Sequence, residues 1–147
     1  MLIQTQSLTK LYGDKTVVQQ LNLSIPLGQL VALLVPNGAG KSTTIKILTG
    51  LLSPSEGSII FQGQHLSRSD DQRQLCVVFQ DSILDQDLTV GQNLLKRAKC
   101  YRNFEASQLD FLIQVFELES ILKQSYGTLS GGQRRRVDIA RALVHQP

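Results

Sequence analysis

At 147 residues, 41% of them hydrophobic and 18% charged, the chain is long enough to bury a core and form one domain or part of a larger one. Its net charge of +3 is mild and concentrates in one run, Arg134-Arg135-Arg136, of a kind that usually forms a solvated helix face, so no nucleic-acid partner is expected. Cys76, Cys100, His65 and His145 stand at no metal-ligand spacing, which argues against a zinc site and for free thiols in a reducing cytoplasm. The start, MLIQTQSLTK, lacks the basic and apolar stretches of a signal peptide. The longest strictly apolar run, residues 30–35, is far short of the roughly 20 needed to span a bilayer. No direct membrane insertion is expected, and any role at a membrane must run through a docked partner.

In chain order, LIQTQSLTKLY and TVVQQLNLSI read as two strands with Gly13-Asp14 turning between them. LVALLV, residues 30–35, is continuously apolar, as a strand buried on both faces would be. A glycine-rich loop follows. KSTTIKILTGLL then reads as a helix, with Ile45 and Leu48 at helical spacing and Gly50 as its stop. GSIIFQG is a short strand, and LCVVFQ another buried one ending in Gln80. Beyond Gln80 the pattern turns helical. Thr89 to Gln92 fits a capping box ahead of a face made by Val90, Leu94, Ala98 and Tyr101. Leu109, Leu112, Ile113 and Phe116 mark a second amphipathic helix. A last helix from Ser130 puts Val137, Ala140 and Val144 on one face, with Arg134, Arg135, Asp138 and Arg141 largely elsewhere.

LLVPNGAGKSTT, residues 33–44, raises the central chemical question. A phosphate-binding loop needs Gly, four residues, then Gly-Lys-Ser/Thr between a strand and a helix. Gly40, Lys41 and Ser42 fill the last places, and the first place is Val35. Backbone N–H groups of such a loop form an anion nest, and the helix adds its positive end. Gly38 and Gly40 allow close approach, Asn37-Gly38 accepts positive φ, Lys41 supplies a charge to the β- and γ-phosphates, Ser42 is a Mg²⁺ ligand, and Thr43 donates on the α-phosphate side. If Val35 had to adopt positive φ, it would cost on the order of 1–3 kcal/mol. As an extended strand end it only crowds the loop, so binding should survive but weaken. The fold class these elements imply is α/β, with a mainly parallel central sheet and the ligand at the carboxyl end of LVALLV.

A second motif, LSGGQ, occupies Leu129, Ser130, Gly131, Gly132 and Gln133. Ser130 is a good N-cap and Gln133 completes another capping box, while the two glycines leave the helix end bare for an anion. PNGAGKSTT followed by LSGGQ resembles the nucleotide-binding domain of ATP-binding cassette (ABC) proteins, and the resemblance extends from LTKLYGDKTVVQQLNLSI through LTGLLSPSEGSIIFQG to ARALVHQP.

That resemblance implies a P-loop NTPase core with an N-terminal antiparallel β subdomain and an inserted helical subdomain, truncated before the Walker B strand. It divides the chain into residues 1–80, 81–128 and 129–147. It implies ATP and Mg²⁺ as ligands. Nucleotide contacts fall to Tyr12, which stacks on adenine, and to Val35, Pro36, Asn37, Gly38, Ala39, Gly40, Lys41, Ser42 and Thr43. Ser42 and Gln80 serve the metal. It implies that residues 129–133 cap the γ-phosphate of a second cassette in trans, and that a transmembrane permease couples the cycle to transport, with the chain at the inner face of the cell membrane.

VFQDSILDQDLTVGQNL is similar to the matching stretch of bacterial antibiotic and multidrug exporter ATPases, which points to export. The family's Walker B aspartate, catalytic glutamate and switch histidine have no counterpart before Pro147, so no catalytic residue is identified. The chain is expected to bind ATP with negligible turnover. The alternatives are a non-catalytic regulatory or remnant protein and a fragment of a soluble, non-transport ABC ATPase.

Overall fold

The computed structural model describes residues 1–36, 38–66, 75–101 and 104–144. The chain forms two compact units, Met1–Leu75 and Cys76–Pro147.

The first unit is built on an antiparallel sheet of five strands: β1 (Ile3–Tyr12), β2 (Lys15–Leu21), β3 (Ser24–Ile25), β4 (Glu56–Phe61) and β5 (Gln64–His65). The order is β2-β1-β4-β5, with β3 also pairing β1. Tyr12 lies opposite Lys15 across the Gly13-Asp14 turn. The second predicted strand is split at Asn22-Leu23. There the Thr5 hydroxyl donates to the Leu21 carbonyl at 2.8 Å and accepts from the Leu23 N–H at 2.9 Å, standing in for ladder bonds. β1 also changes phase: its pairing with β4 shifts between Gln6 and Thr9, around Ser7 at φ 47°. This irregularity turns Leu8 fully into the core beside Ile3, Ile47, Ile59 and Phe61.

α1 (Lys41–Leu48) packs on this sheet through Thr44 and Ile47. The buried stripe is offset from the one the spacing predicts. Leu48 packs partly against the core, but Ile45 faces solvent, 43% exposed. Thr49 and Gly50 close the helix onto the carbonyls of Ile45 and Ile47.

Among the described residues no parallel ladder is formed. Every described ladder is antiparallel, and neither residues 30–35 nor residues 75–79 adopt strand pairing. A continuously apolar strand is stable only with a neighbour to take its backbone bonds and a layer to cover its side chains. Among the described residues neither segment has a ladder partner, and Leu30 and Leu34 are almost fully exposed.

The second unit contains α2 (Val90–Ala98), α3 (Ala106–Val115) and α4 (Gly131–Leu143), with short 3-10 turns at Glu119–Ile121 and Tyr126–Thr128. The predicted capping box opens α2: the Gln92 N–H donates to Thr89 Oγ1 at 3.2 Å and Gln92 Oε1 accepts from the Thr89 N–H at 2.9 Å. Val90 and Leu94 are fully buried with Leu118, Ile121, Tyr126, Leu129, Val137 and Ala140, so the apolar faces of α2 and α4 meet as their spacing requires. Leu109, Ile113 and Phe116 pack partly against the same core. Ala98, Leu112 and Val144 make a smaller cluster with Tyr101 at its edge. Asn93 is a buried polar residue that the spacing does not reveal. Its amide donates to the Asp85 carbonyl at 2.8 Å and its Oδ1 accepts from the Asp85 N–H at 3.0 Å, tying the preceding loop to α2.

Candidate nucleotide-binding site

α1 starts at an N-cap glycine in the left-handed region, Gly40 at φ 82°, and no side chain caps it. The N–H groups of Lys41, Ser42 and Thr43 therefore have neither an intrahelical acceptor nor a side-chain cap, and they carry the positive end of the helix dipole. α2 and α4 begin with full capping boxes, whereas α1 and α3 begin without a side-chain cap, and of these two only α1 starts at a left-handed glycine.

Gly40 is required on two counts. Its backbone is left-handed, and a Cβ there would meet the Val17 carbonyl oxygen at 2.5 Å, because the loop lies directly on β2. Gly38 is also left-handed, φ 85°, but faces open space. The Ala39 N–H donates to the Pro36 carbonyl at 3.3 Å, closing a tight turn ahead of the helix. Asn37 lies outside the described residues. Val35 is not among the residues with positive φ and is half-buried, so it suffers no left-handed strain.

These features fit a phosphate group: free N–H donors, a close glycine approach, a lysine and two hydroxyls in consecutive positions. The fit to Mg²⁺ is narrower. Among the described residues no group of three or more His, Cys, Asp or Glu could hold a metal ion. Ser42, exposed at the start of α1, offers one neutral oxygen, as suits a Mg²⁺ held chiefly by phosphate and water. Gln80 is exposed and belongs to the second unit. Tyr12 is 50% exposed at the end of β1, with Lys10 Nζ over its ring at 5.5 Å from the centre.

At the start of α4 the Gln133 N–H donates to Ser130 Oγ at 3.3 Å, and Gln133 Oε1 accepts from the Ser130 N–H at 2.9 Å. The cap consumes the Gln133 N–H. The exposed N–H groups of Gly131 and Gly132 remain without intrahelical acceptors, and a Cβ at either glycine would meet nothing within 4 Å. Ser130 still has its own hydroxyl proton to give. Leu129 is buried in the core and anchors this end from below.

The arginine run stays solvent-accessible, with Arg135 exposed and Arg134 and Arg136 half-buried, but each side chain also makes a defined contact. Arg134 donates to the carbonyls of Gly127 at 2.8 Å and Leu129 at 3.0 Å, Arg135 to the Phe79 carbonyl at 2.8 Å, and Arg136 pairs with Glu117 at 2.9 Å. Asp138 and Arg141, read as lying off the apolar face, are only 7% and 5% exposed. Ser82 Oγ donates to Asp138 Oδ1 at 2.6 Å and Tyr126 Oη to Asp138 Oδ2 at 3.1 Å, while Arg141 donates to the Val77 carbonyl at 3.2 Å. Burial, reinforced by the Asp138 carboxylate, pushes the Tyr126 phenol above its ordinary range. Burial also pulls the Arg141 guanidinium below its usual value, with Arg97 adding to the effect. Two donors satisfying one buried carboxylate is the arrangement that makes such a group tolerable.

Comparison with known proteins identifies the family of the chain. The ABC transporter family profile matches residues 18–147. The chain is 42% identical over 154 residues to the Nod factor export ATP-binding protein I of Burkholderia orbicola, covering 99% of this chain and 49% of that protein. It is 36% identical over 149 residues to the Fe(3+) ions import ATP-binding protein FbpC of Escherichia coli K12, covering 99% and 43%. Among solved structures, it matches a dimeric bacterial ABC transporter cassette, MJ0796, with a TM-score of 0.81 and 30% identity over 99% of this chain and 71% of that one. The chain thus spans less than half the length of these curated relatives. With the family matched over most of its length and its fold shared with solved cassettes, the chain belongs to the ABC transporter family as part of an ATP-binding cassette.

Proposed function

We propose that this chain holds the triphosphate of Mg·ATP at the start of α1 and presents Ser130, Gly131 and Gly132 to the nucleotide of a second cassette, as part of a transporter ATPase coupled to a membrane permease. The observation that carries this reading is the uncapped α1 start, with Gly40 seated against Val17 and Lys41, Ser42 and Thr43 following in sequence. Lys41 supplies charge to the phosphates, the first-turn N–H groups supply donors, Ser42 contributes to Mg²⁺, and Tyr12 offers a face to the base. Bound Mg²⁺ would neutralise phosphate charge. Gln80, at the end of residues 76–80, is assigned the metal-sensing role that couples to the permease. The residues divide functionally into 1–80, 81–128 and 129–147, and the chain works at the inner face of the cell membrane through its permease. Export is the favoured direction, on the 42% identity to the Nod factor export protein beside 36% to the Fe(3+) import protein.

Within these 147 residues no side chain is assigned to orient an attacking water, and phosphoryl transfer needs one. The chain by itself is therefore expected to bind ATP with negligible phosphate release. Turnover on the order of 1 s⁻¹ or more by the purified chain would contradict this. Because Val35 is free of left-handed strain, Val35→Gly should tighten ATP binding only a few-fold, about 1 kcal/mol or less. Equilibrium titration of both forms checks this, and no gain at all would show that Val35 does not crowd the loop.

A further inference from the structure

Asp138 carries a buried carboxylate. It sits on α4, two turns past the Gly131-Gly132 end, and receives hydroxyls from two places. One is Ser82, two residues after Gln80. The other is Tyr126, in the turn leading into Leu129 and Ser130. The Ser82 oxygen in turn accepts the Leu84 N–H at 3.1 Å, so a relay runs from the Leu84 N–H through the Ser82 hydroxyl to Asp138. Arg135 and Arg141 lie three residues to either side of Asp138. Their bonds to the carbonyls of Phe79 and Val77 hold the same segment to α4. Residues 77–82 form no sheet ladder, so these side-chain bonds are the described attachments of the Gln80 segment.

We propose that Asp138 is a positioning residue that fastens the Gln80 segment and the Tyr126 turn to α4, so that displacement at Gln80 is delivered to the N–H groups of Gly131 and Gly132. The functional meaning of that link rests on the nucleotide-capping role given to those glycines above, while the link itself is a property of the second unit alone. Asp138 acts through Ser82 and Tyr126, whose hydroxyls its two carboxylate oxygens accept. Burying a carboxylate is costly unless both oxygens are satisfied, and the price is met here by two elements that must stay in register with α4.

The test uses amide hydrogen exchange and NMR shifts of the whole chain without nucleotide. Ser82→Ala and Asp138→Ala should each lower Leu84 amide protection about tenfold, while Leu94 and Leu112 amides keep theirs as a control for folding. Ser82→Ala should also move the Gly131 and Gly132 amide resonances, and should no longer do so in an Asp138→Ala background. Asp138→Asn, which keeps an acceptor for Ser82, should restore most of the Leu84 protection. In an absorbance titration the Tyr126 phenol should ionise at lower pH in Asp138→Ala than in the parent chain. Unchanged Leu84 protection in both variants would overturn the proposal, as would an effect of Ser82→Ala on Gly131 and Gly132 that persists without Asp138. If Asp138→Ala does not fold, Ser82→Ala alone decides through Leu84 and the two glycines. None of these readouts involves ATP, so failure of the link and failure of the nucleotide reading are separate results.

Discussion

Gly40→Ala should be among the most damaging single changes in the first unit, destabilising it by about 2–4 kcal/mol in a denaturant melt. Two costs combine. An L-residue at φ 82° carries about 1–2 kcal/mol of backbone strain. Its Cβ would also stand 2.5 Å from the Val17 carbonyl oxygen and 3.2 Å from Val17 Cγ1, so either β2 or the start of α1 must move. Because Lys41, Ser42 and Thr43 follow immediately, that movement misplaces every donor at the helix end, and ATP affinity should fall by more than tenfold. Gly38→Ala is the matched control. It has the same left-handed backbone but open space around it, so it should cost only about 1 kcal/mol. Equal melts for the two variants would show that the contact with Val17 is not what fixes the loop.

Leu94→Ala should be equally severe in the second unit, costing about 2–5 kcal/mol. Leu94 is fully buried among Val90, Leu118, Ile121, Tyr126, Leu129, Val137 and Ala140. Truncating it removes packing and leaves a cavity that closes only if α2 and α4 shift. Leu129 and Val137 flank the Ser130 cap, so loosening this core also loosens the Gly131-Gly132 end. Urea melts of the parent and variant give the magnitude, and a loss under about 1 kcal/mol would mean that the core relaxes without that cost.

What the sequence made legible, and what it hid, follows from the range of the interactions involved. The two capping boxes, at Thr89 and Ser130, are local and form as their residues dictate, as does the core face of Val90, Leu94 and Ala98. The family resemblance, drawn from PNGAGKSTT and LSGGQ, is borne out by the family match and the shared fold. Longer-range features were not readable. Asp138 looks like one more polar residue on an amphipathic helix, because its partners, Ser82 and Tyr126, lie 56 and 12 residues away. The arginine run is solvent-accessible as its composition implies, but its bonds to the carbonyls of Gly127, Leu129 and Phe79 are not readable from the run itself. LVALLV has the composition of a central strand, but a strand is made by its neighbours, and the described residues supply none.

The central claim is that the start of α1 binds the phosphates of ATP, and calorimetric titration of Mg·ATP into the parent chain and into Lys41→Ala tests it most directly. The account predicts saturable, one-site binding by the parent. It predicts a loss on the order of 10- to 100-fold in Lys41→Ala, the size of a charge-assisted contact worth about 1.5–3 kcal/mol, with an unchanged melt. Binding of equal strength in both forms, or no binding by a folded parent chain, would contradict it.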